Sequence, residues 1–273
     1  MNKEYLELTS LAGLPIKVDG IGKVYPIKLF DIAEITEYKY NQYLNVLCIN
    51  VDDLNLDKEI EYELKKNDIS SFSLILHLYN QDETGEFFKI FKDALKFFLK
   101  QEVIFVPYLG TFFIGENEDL ESILKDVKNE KDLKKIENIL DENNFINEKK
   151  YDNFKEVLIL QNCIEKKNIK DEKYANEKAR EIAEKIKLAK EKINKIKSKQ
   201  GETLSLFDLI SAFSGNSKST NIINVWDMTI FQFNDQFKRM QMIEEYDINI
   251  RSLLAGADSN KVNLEHWIRK IKN

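Results

Sequence analysis

Side chains able to do chemistry are few in this chain, and they stand far apart. Its 273 residues hold two histidines, His77 and His266, and two cysteines, Cys48 and Cys163. An imidazole works as a general base or metal ligand only beside a partner at a defined spacing. Neither histidine has one. His77 lies inside the apolar run SSFSLILHLY, where a satisfied core histidine is expected, and His266 adjoins Trp267. Cys48 and Cys163 sit in apolar contexts and read as buried thiols of a reducing compartment, with no disulfide or metal role. The sequence contains no Gly-rich phosphate loop, no His-Glu-x-x-His, no Cys-x-x-Cys and no Gly-x-Ser-x-Gly. Asp227 and Asp235 come nearest to a metal pair. Eight positions apart with Thr229 between them, they are better placed to serve a helix dipole and solvent. The expectation is a protein that is not an enzyme and takes no cofactor and no metal.

Composition narrows the classes further. The formal net charge of −6 argues against nucleic acid as a partner, because neutralising phosphates requires a basic surface. An apolar fraction of 43% is ample for a packed core, and no apolar run reaches the roughly 20 residues that a membrane helix needs. The opening residues MNKEYLELTS lack the apolar core and cleavage site of a signal peptide, so a soluble cytosolic protein is expected. Nine glycines and three prolines leave little material for hairpins and loops, which favours helix. The fold class read from these features is mainly α with a small antiparallel β component.

The element best marked in sequence runs over residues 221–257. Thr229 and Gln232 have the spacing of a capping box, Met228 and Phe233 that of a hydrophobic staple, so a helix should start at Ile230. Ile230, Phe233, Phe237, Met240 and Ile243 form an apolar row that requires cover, and Gly256 supplies the stop. Earlier, residues 14–29 read as a β-hairpin turning at Asp19 and Gly20, with Pro26 bending the second arm. Helical spacing begins at Asp31 and runs to Leu47. Short or amphipathic helices are expected over 59–66, 70–79, 83–101, 119–140 and 151–164. Residues 103–114, VIFVPYLGTFFI, read as two β arms that could join the first hairpin in one sheet.

Residues 171–200 differ in kind. Ala175, Ala179, Ile182, Ile186, Ala189, Ile193 and Ile196 follow heptad spacing among lysines and glutamates. An exposed spacer, a helix packed on one domain and a self-associating coil all fit this pattern. Residues 203–213 form a short helix capped by Ser205 and Asp208. The loop GNSKST and an extended IINVW follow. The resulting division is an α+β N-terminal domain at 1–168, a long Lys-rich helix at 169–200 and a small helical C-terminal domain at 201–273.

The run LSLFDLISAFS…NIINVWDMTIFQFNDQFKRMQMIEEYDI resembles proteins of phage and prophage tail-assembly modules. The shared signature falls on Trp226, Asp227, Thr229, Gln232, Asp235, Phe237 and Arg239. The opening GKVYPIKLFDIAEI is similar to the hairpin-to-helix passage of phage tail assembly chaperones. Membership implies a non-catalytic protein of the host cytoplasm that coats the hydrophobic tape measure protein, or other tail proteins, while the tail tube grows. On that reading Trp226, Phe231, Phe237, Met240 and Arg239 are candidate partner-binding residues. The alternative is a structural tail or baseplate subunit retained in the virion.

Overall fold

A computed structural model describes residues 2–50, 70–127, 129–141, 144–164, 204–258, 262 and 264–271. The expected helix at 59–66 and the Lys-rich heptad stretch lie outside these residues. Contacts group Met1–Ile164 with Trp226–Lys272 in one compact unit, and Glu165–Val225 in another. The boundary read from sequence lies inside the Lys-rich helix, whereas the long C-terminal helix here shares a unit with the N-terminal residues.

Within the first unit the chain opens with α1 (Lys3–Leu11), capped by the Asn2 side chain, which accepts from Glu4 N. The sequence pattern gave no sign of this helix. It buries only Leu6 and Ser10 and leaves Tyr5, Leu8 and Leu11 exposed, too thin a stripe for periodicity to reveal. The hairpin follows as β1 (Ile16–Val18) and β2 (Gly22–Val24), antiparallel, with Val18 opposite Gly22. Gly20 turns the chain at φ +69°, where a Cβ would stand 2.7 Å from Lys150 Nζ. Ile16, Val18, Ile21 and Val24 are all buried.

The helical spacing from Asp31 proves to be two helices, α2 (Leu29–Ile35) and α3 (Glu37–Leu47). They break at Thr36, whose φ of +76° no helix tolerates, and whose hydroxyl then caps α3 by accepting from Lys39 N. Next come α4 (Ser71–Gln81), α5 (Glu86–Leu99), β3 (Val103–Val106), a 3-10 turn at Pro107–Leu109 and β4 (Thr111–Ile114). The charged stretch after β4 forms α6 (Glu118–Lys125) and α7 (Glu130–Asp141), and then β5 (Phe145–Ile146) and α8 (Glu148–Gln161) follow. The unit ends with α10 (Ile230–Leu254), while α9 (Leu206–Asn216) belongs to the other unit.

The two β arms at 103–114 pair as expected but do not join the first hairpin. The second sheet has the order β3-β4-β5, and the hairpin remains a separate two-stranded sheet. The third strand is only two residues long, which leaves no periodicity to read. Being central, β4 is buried on both faces. Phe112 meets an aromatic core of Phe72 and Phe91, at ring distances of 6.2 and 5.1 Å, with Tyr151 5.1 Å from Phe72. On the opposite face Phe113 joins Val106, Leu120, Ile136 and Leu140, which is how two charged helices acquire a dry side. The two buried tyrosine hydroxyls are satisfied: Tyr151 donates to Leu47 O at 2.7 Å, and Tyr40 donates to Asn162 Oδ1 at 2.7 Å. The buried Lys155 ammonium donates to Ile49 O, Asn50 Oδ1 and Ser71 Oγ.

In the second unit, the described residues 204–225 hold α9, begun by a capping box between Ser205 and Asp208. Ile210 and Phe213 are buried, while Leu204 and Phe207 are exposed. Residues 221–225 are not the expected extended arm. Asn221 Oδ1 accepts from Ile223 N, and Asn224 Oδ1 accepts from Asn221 N, so the two asparagines close a turn that leads into a 3-10 segment at Val225–Asp227. Among the described residues the architecture is therefore mainly α, with ten helices and two small antiparallel sheets.

Candidate interaction surface

The residues that begin α10 form a joint with the N-terminal hairpin. Thr229 Oγ1 accepts from Gln232 N at 3.2 Å and Gln232 Oε1 accepts from Thr229 N at 2.9 Å, closing the capping box. The same Gln232 side chain donates through Nε2 to Leu11 O at 3.0 Å. Ile230 N donates to Ile27 O and Leu29 N donates to Met228 O, both at 2.9 Å, so Lys28 and Thr229 pair as an isolated antiparallel bridge. Gly13, at φ +69°, leaves room for the glutamine; a Cβ there would stand 3.0 Å from Gln232 Nε2. Thr229 and Gln232 of the signature are thus structural, holding residues 11–29 against the start of α10. Asp227 pairs with Lys28 at 3.4 Å, but both side chains are well exposed and the pair contributes little.

Beyond its first turn α10 is poorly covered. Ile230 and Phe233 are its buried residues, and Phe233 is 1% exposed. Phe237, Met240 and Ile243 continue the apolar row only half-buried, with Phe237 5.8 Å from the Phe233 ring. Trp226 and Phe231 are also half-buried, and Phe231 lies off that row, about 100° around the helix from Ile230. Further on, Ile248 and Leu254 face outward, 62% and 84% exposed.

Arg239 points to a part of the surface that the sequence pattern did not disclose. Its guanidinium donates to Trp267 O at 2.7 Å and to Arg269 O at 2.9 Å. The helix ends at Leu254, and Gly256 turns the chain at φ +95°. The C-terminal segment then runs back along α10. The His266 ring stacks on Trp267 at 5.5 Å and lies 5.0 Å from the Tyr246 ring, and Arg269 reaches Glu245 at 3.5 Å. Arg269 also pairs with Glu265, and Ile268 N donates to His266 Nδ1. Only Arg239, within the signature, offered a signal; its two acceptors are backbone carbonyls, which no side-chain pattern encodes.

The remaining chemistry-bearing residues do not converge. His77 is exposed, not in the core as expected, because it sits on the outer face of α4; its Nε2 is 3.0 Å from Gln81 Nε2. Cys48 and Cys163 are half-buried and form no disulfide, and burial pushes the Cys163 thiol up to about 11, leaving it a poor nucleophile at neutral pH. Burial likewise pushes the hydroxyls of Tyr40 and Tyr151 well above the ordinary phenol value. Lys96 and Lys100, on the rim of an open cleft of about 790 Å³, pair with Glu102 and Asp31 at 2.8 and 3.6 Å. Among the described residues no group of three or more His, Cys, Asp or Glu side chains is arranged to hold a metal ion. Nor, among them, is any helix long and apolar enough to cross a membrane.

No curated protein and no solved structure matches the chain. Residues 196–272, a stretch that includes the whole of α10 and the described residues of its returning tail but not the N-terminal side of the joint, match the family model described as the YomV second domain, and the match points to a phage-type protein.

Proposed function

We propose that this chain is a non-catalytic phage tail assembly chaperone that binds the tape measure protein in the host cytoplasm. The reading is carried by α10: a helix of 25 residues, inside a stretch that points to a phage-type protein, whose apolar row beyond Phe233 is left half-open. A tape measure protein is a long helix with apolar stripes, and a row of Phe237, Met240 and Ile243 suits helix-against-helix docking. Completing the burial of one such side chain supplies about 1–2 kcal/mol, so a few per copy and many copies per client suffice for a soluble complex. The net charge of −6 keeps a crowded coat soluble.

The test is co-expression with the tape measure protein, affinity capture and size-exclusion chromatography. A soluble high-mass complex holding many copies is expected, and the Phe237→Glu and Met240→Glu pair should reduce recovery at least tenfold while circular dichroism shows the variant still folded. Failure to form a complex, with the chain present in stoichiometric amount in purified particles, would replace this reading with that of a structural tail or baseplate subunit.

A further inference from the structure

Strand β3 is the outer strand of its sheet, and among the described residues no strand pairs with its free edge. Directly opposite residues of an antiparallel pair alternate between bonded and unbonded, and Gly115 N donates to Glu102 O at 2.8 Å just before β3 begins. By that alternation Ile104, opposite Phe113, and Val106, opposite Thr111, turn their backbone groups to β4. Val103 and Phe105 then turn theirs outward. Ile114 fixes the same phase, because its N–H leaves β3 and donates to Asn144 O at 3.0 Å. Among the described residues no partner meets the backbone groups of Val103 or Phe105. The Val103 and Val106 side chains are buried and anchor the strand, while Ile104 and Phe105 are half-buried.

A groove of about 330 Å³ opens beside this strand, lined by Val103 and Ile104, by Lys92 of α5, and by Glu116, Glu118 and Glu121 at the start of α6. Its two walls belong to the two faces of the sheet. Phe105 packs on Phe88 of α5 at a ring distance of 5.2 Å, whereas Ile104 joins the cluster of Val106, Phe113 and Leu120 beside α6. The three glutamates are exposed, and among the described residues none has an ion-pair partner. The N-terminus of α6 offsets about half a charge, which leaves this wall acidic. Glu102 also reaches the groove but is already paired with Lys96 at 2.8 Å.

We infer that the β3 edge is a strand-addition site for an extended segment of a partner protein that carries lysine or arginine at every second residue. The added strand draws its affinity from the outward backbone groups of Val103 and Phe105 and its specificity from alternate side chains. Successive side chains of a strand point to opposite faces, so one set meets the glutamates of α6 and the intervening set meets Lys92. Cations suit the first set. Lys92 repels them from the second, which favours threonine or valine there. A second copy of the chain is the wrong occupant, because antiparallel pairing of two β3 edges would bring both glutamate walls to the same face of the joined sheet. Charge placed in this way guards a strand edge against self-pairing. The inference goes beyond the reading of α10 and does not depend on it.

The test uses the full chain and a fluorescent seven-residue peptide that alternates threonine with lysine. Its isomer with the three lysines in one block has the same charge and no alternation. Fluorescence anisotropy should show the alternating peptide binding at least tenfold more tightly than the block isomer. Glu118→Gln/Glu121→Gln, shown to be folded by circular dichroism, should remove that preference. Methylating the backbone nitrogens of the lysines gives one analogue, and methylating those of the threonines gives another. Only one edge of the peptide faces β3, so one analogue should bind and the other should not. Nuclear magnetic resonance of the bound chain should show the Val103 and Phe105 amides exchanging at least tenfold more slowly than in the free chain. Equal binding of the two isomers, equal binding of the two methylated analogues, or unchanged exchange at Val103 and Phe105 overturns the inference, as does the absence of saturable binding. Loss of the tape measure complex with these peptide results intact would count against the chaperone reading alone.

Discussion

At its first turn α10 is fixed from several directions at once: Ile230 and Phe233 are buried, Thr229 and Gln232 close a capping box, and Gln232 reaches across to Leu11 O. Along its far half the same helix has half-open Phe237 and Met240 and an outward Ile248, and among the described residues its Arg239 donates to the Trp267 and Arg269 carbonyls of the tail. One helix therefore combines an anchored end with an end that is only half covered. Local stability in proteins follows buried apolar contact and satisfied backbone, and binding surfaces are drawn from the weaker regions. The signature residues divide in the same way, Thr229 and Gln232 serving the anchor and Phe237 and Arg239 the open part.

Substitution can break or sharpen this contrast. Phe233→Ala should have the largest effect, about 3–5 kcal/mol of lost stability by urea denaturation, since it opens a cavity at a fully buried site. Phe237→Ala, the same chemical change one turn on and half-buried, should cost about a third of that; equal losses would show that the far half is anchored as well. Thr229→Ala should cost about 1–2 kcal/mol through the cap. Gly13→Ala, forced to φ +69° against Gln232, should cost about 1 kcal/mol, while Gly256→Ala, at positive φ but with open space around it, should cost less.

Alkali gives a smaller effect. The raised Cys163 pKa means that folded and unfolded chains both hold the thiol proton below about 9. Between about 9 and 11 only the unfolded thiol ionises, so stability falls as pH rises through that window. Cys163→Ala should flatten the fall in a series of denaturation curves, and an unchanged slope would assign it to the buried tyrosines. Arg239→Ala should be the mildest, changing the urea midpoint little while exposing the Trp267 segment to limited proteolysis.

Much of this was legible where side chains speak to their own backbone. The Thr229–Gln232 and Ser205–Asp208 caps, the Asp19-Gly20 turn and the Gly256 stop follow from short-range chemistry, and the structure has each of them. What escaped was decided by distant partners or by geometry without a pattern. Strand β5 is two residues long, Thr36 breaks a run whose spacing looks continuous, and His77 sits in an apolar run yet faces out. The candidate surface was legible in part. The apolar row is written in its spacing, but the tail is bound through the carbonyls of Trp267 and Arg269, and a carbonyl carries no residue identity.

Hydrogen-exchange mass spectrometry along α10, in the chain alone and in the proposed complex with a tape measure protein, is the most direct test of the anchored and open ends. In the free chain, amides of residues 233–236 should exchange at least a hundredfold more slowly than those of 246–254, and in the complex protection should rise only from Phe237 onward. Uniform protection along the free helix, or a gain confined to its first turn in the complex, would contradict the division of α10 on which this account depends.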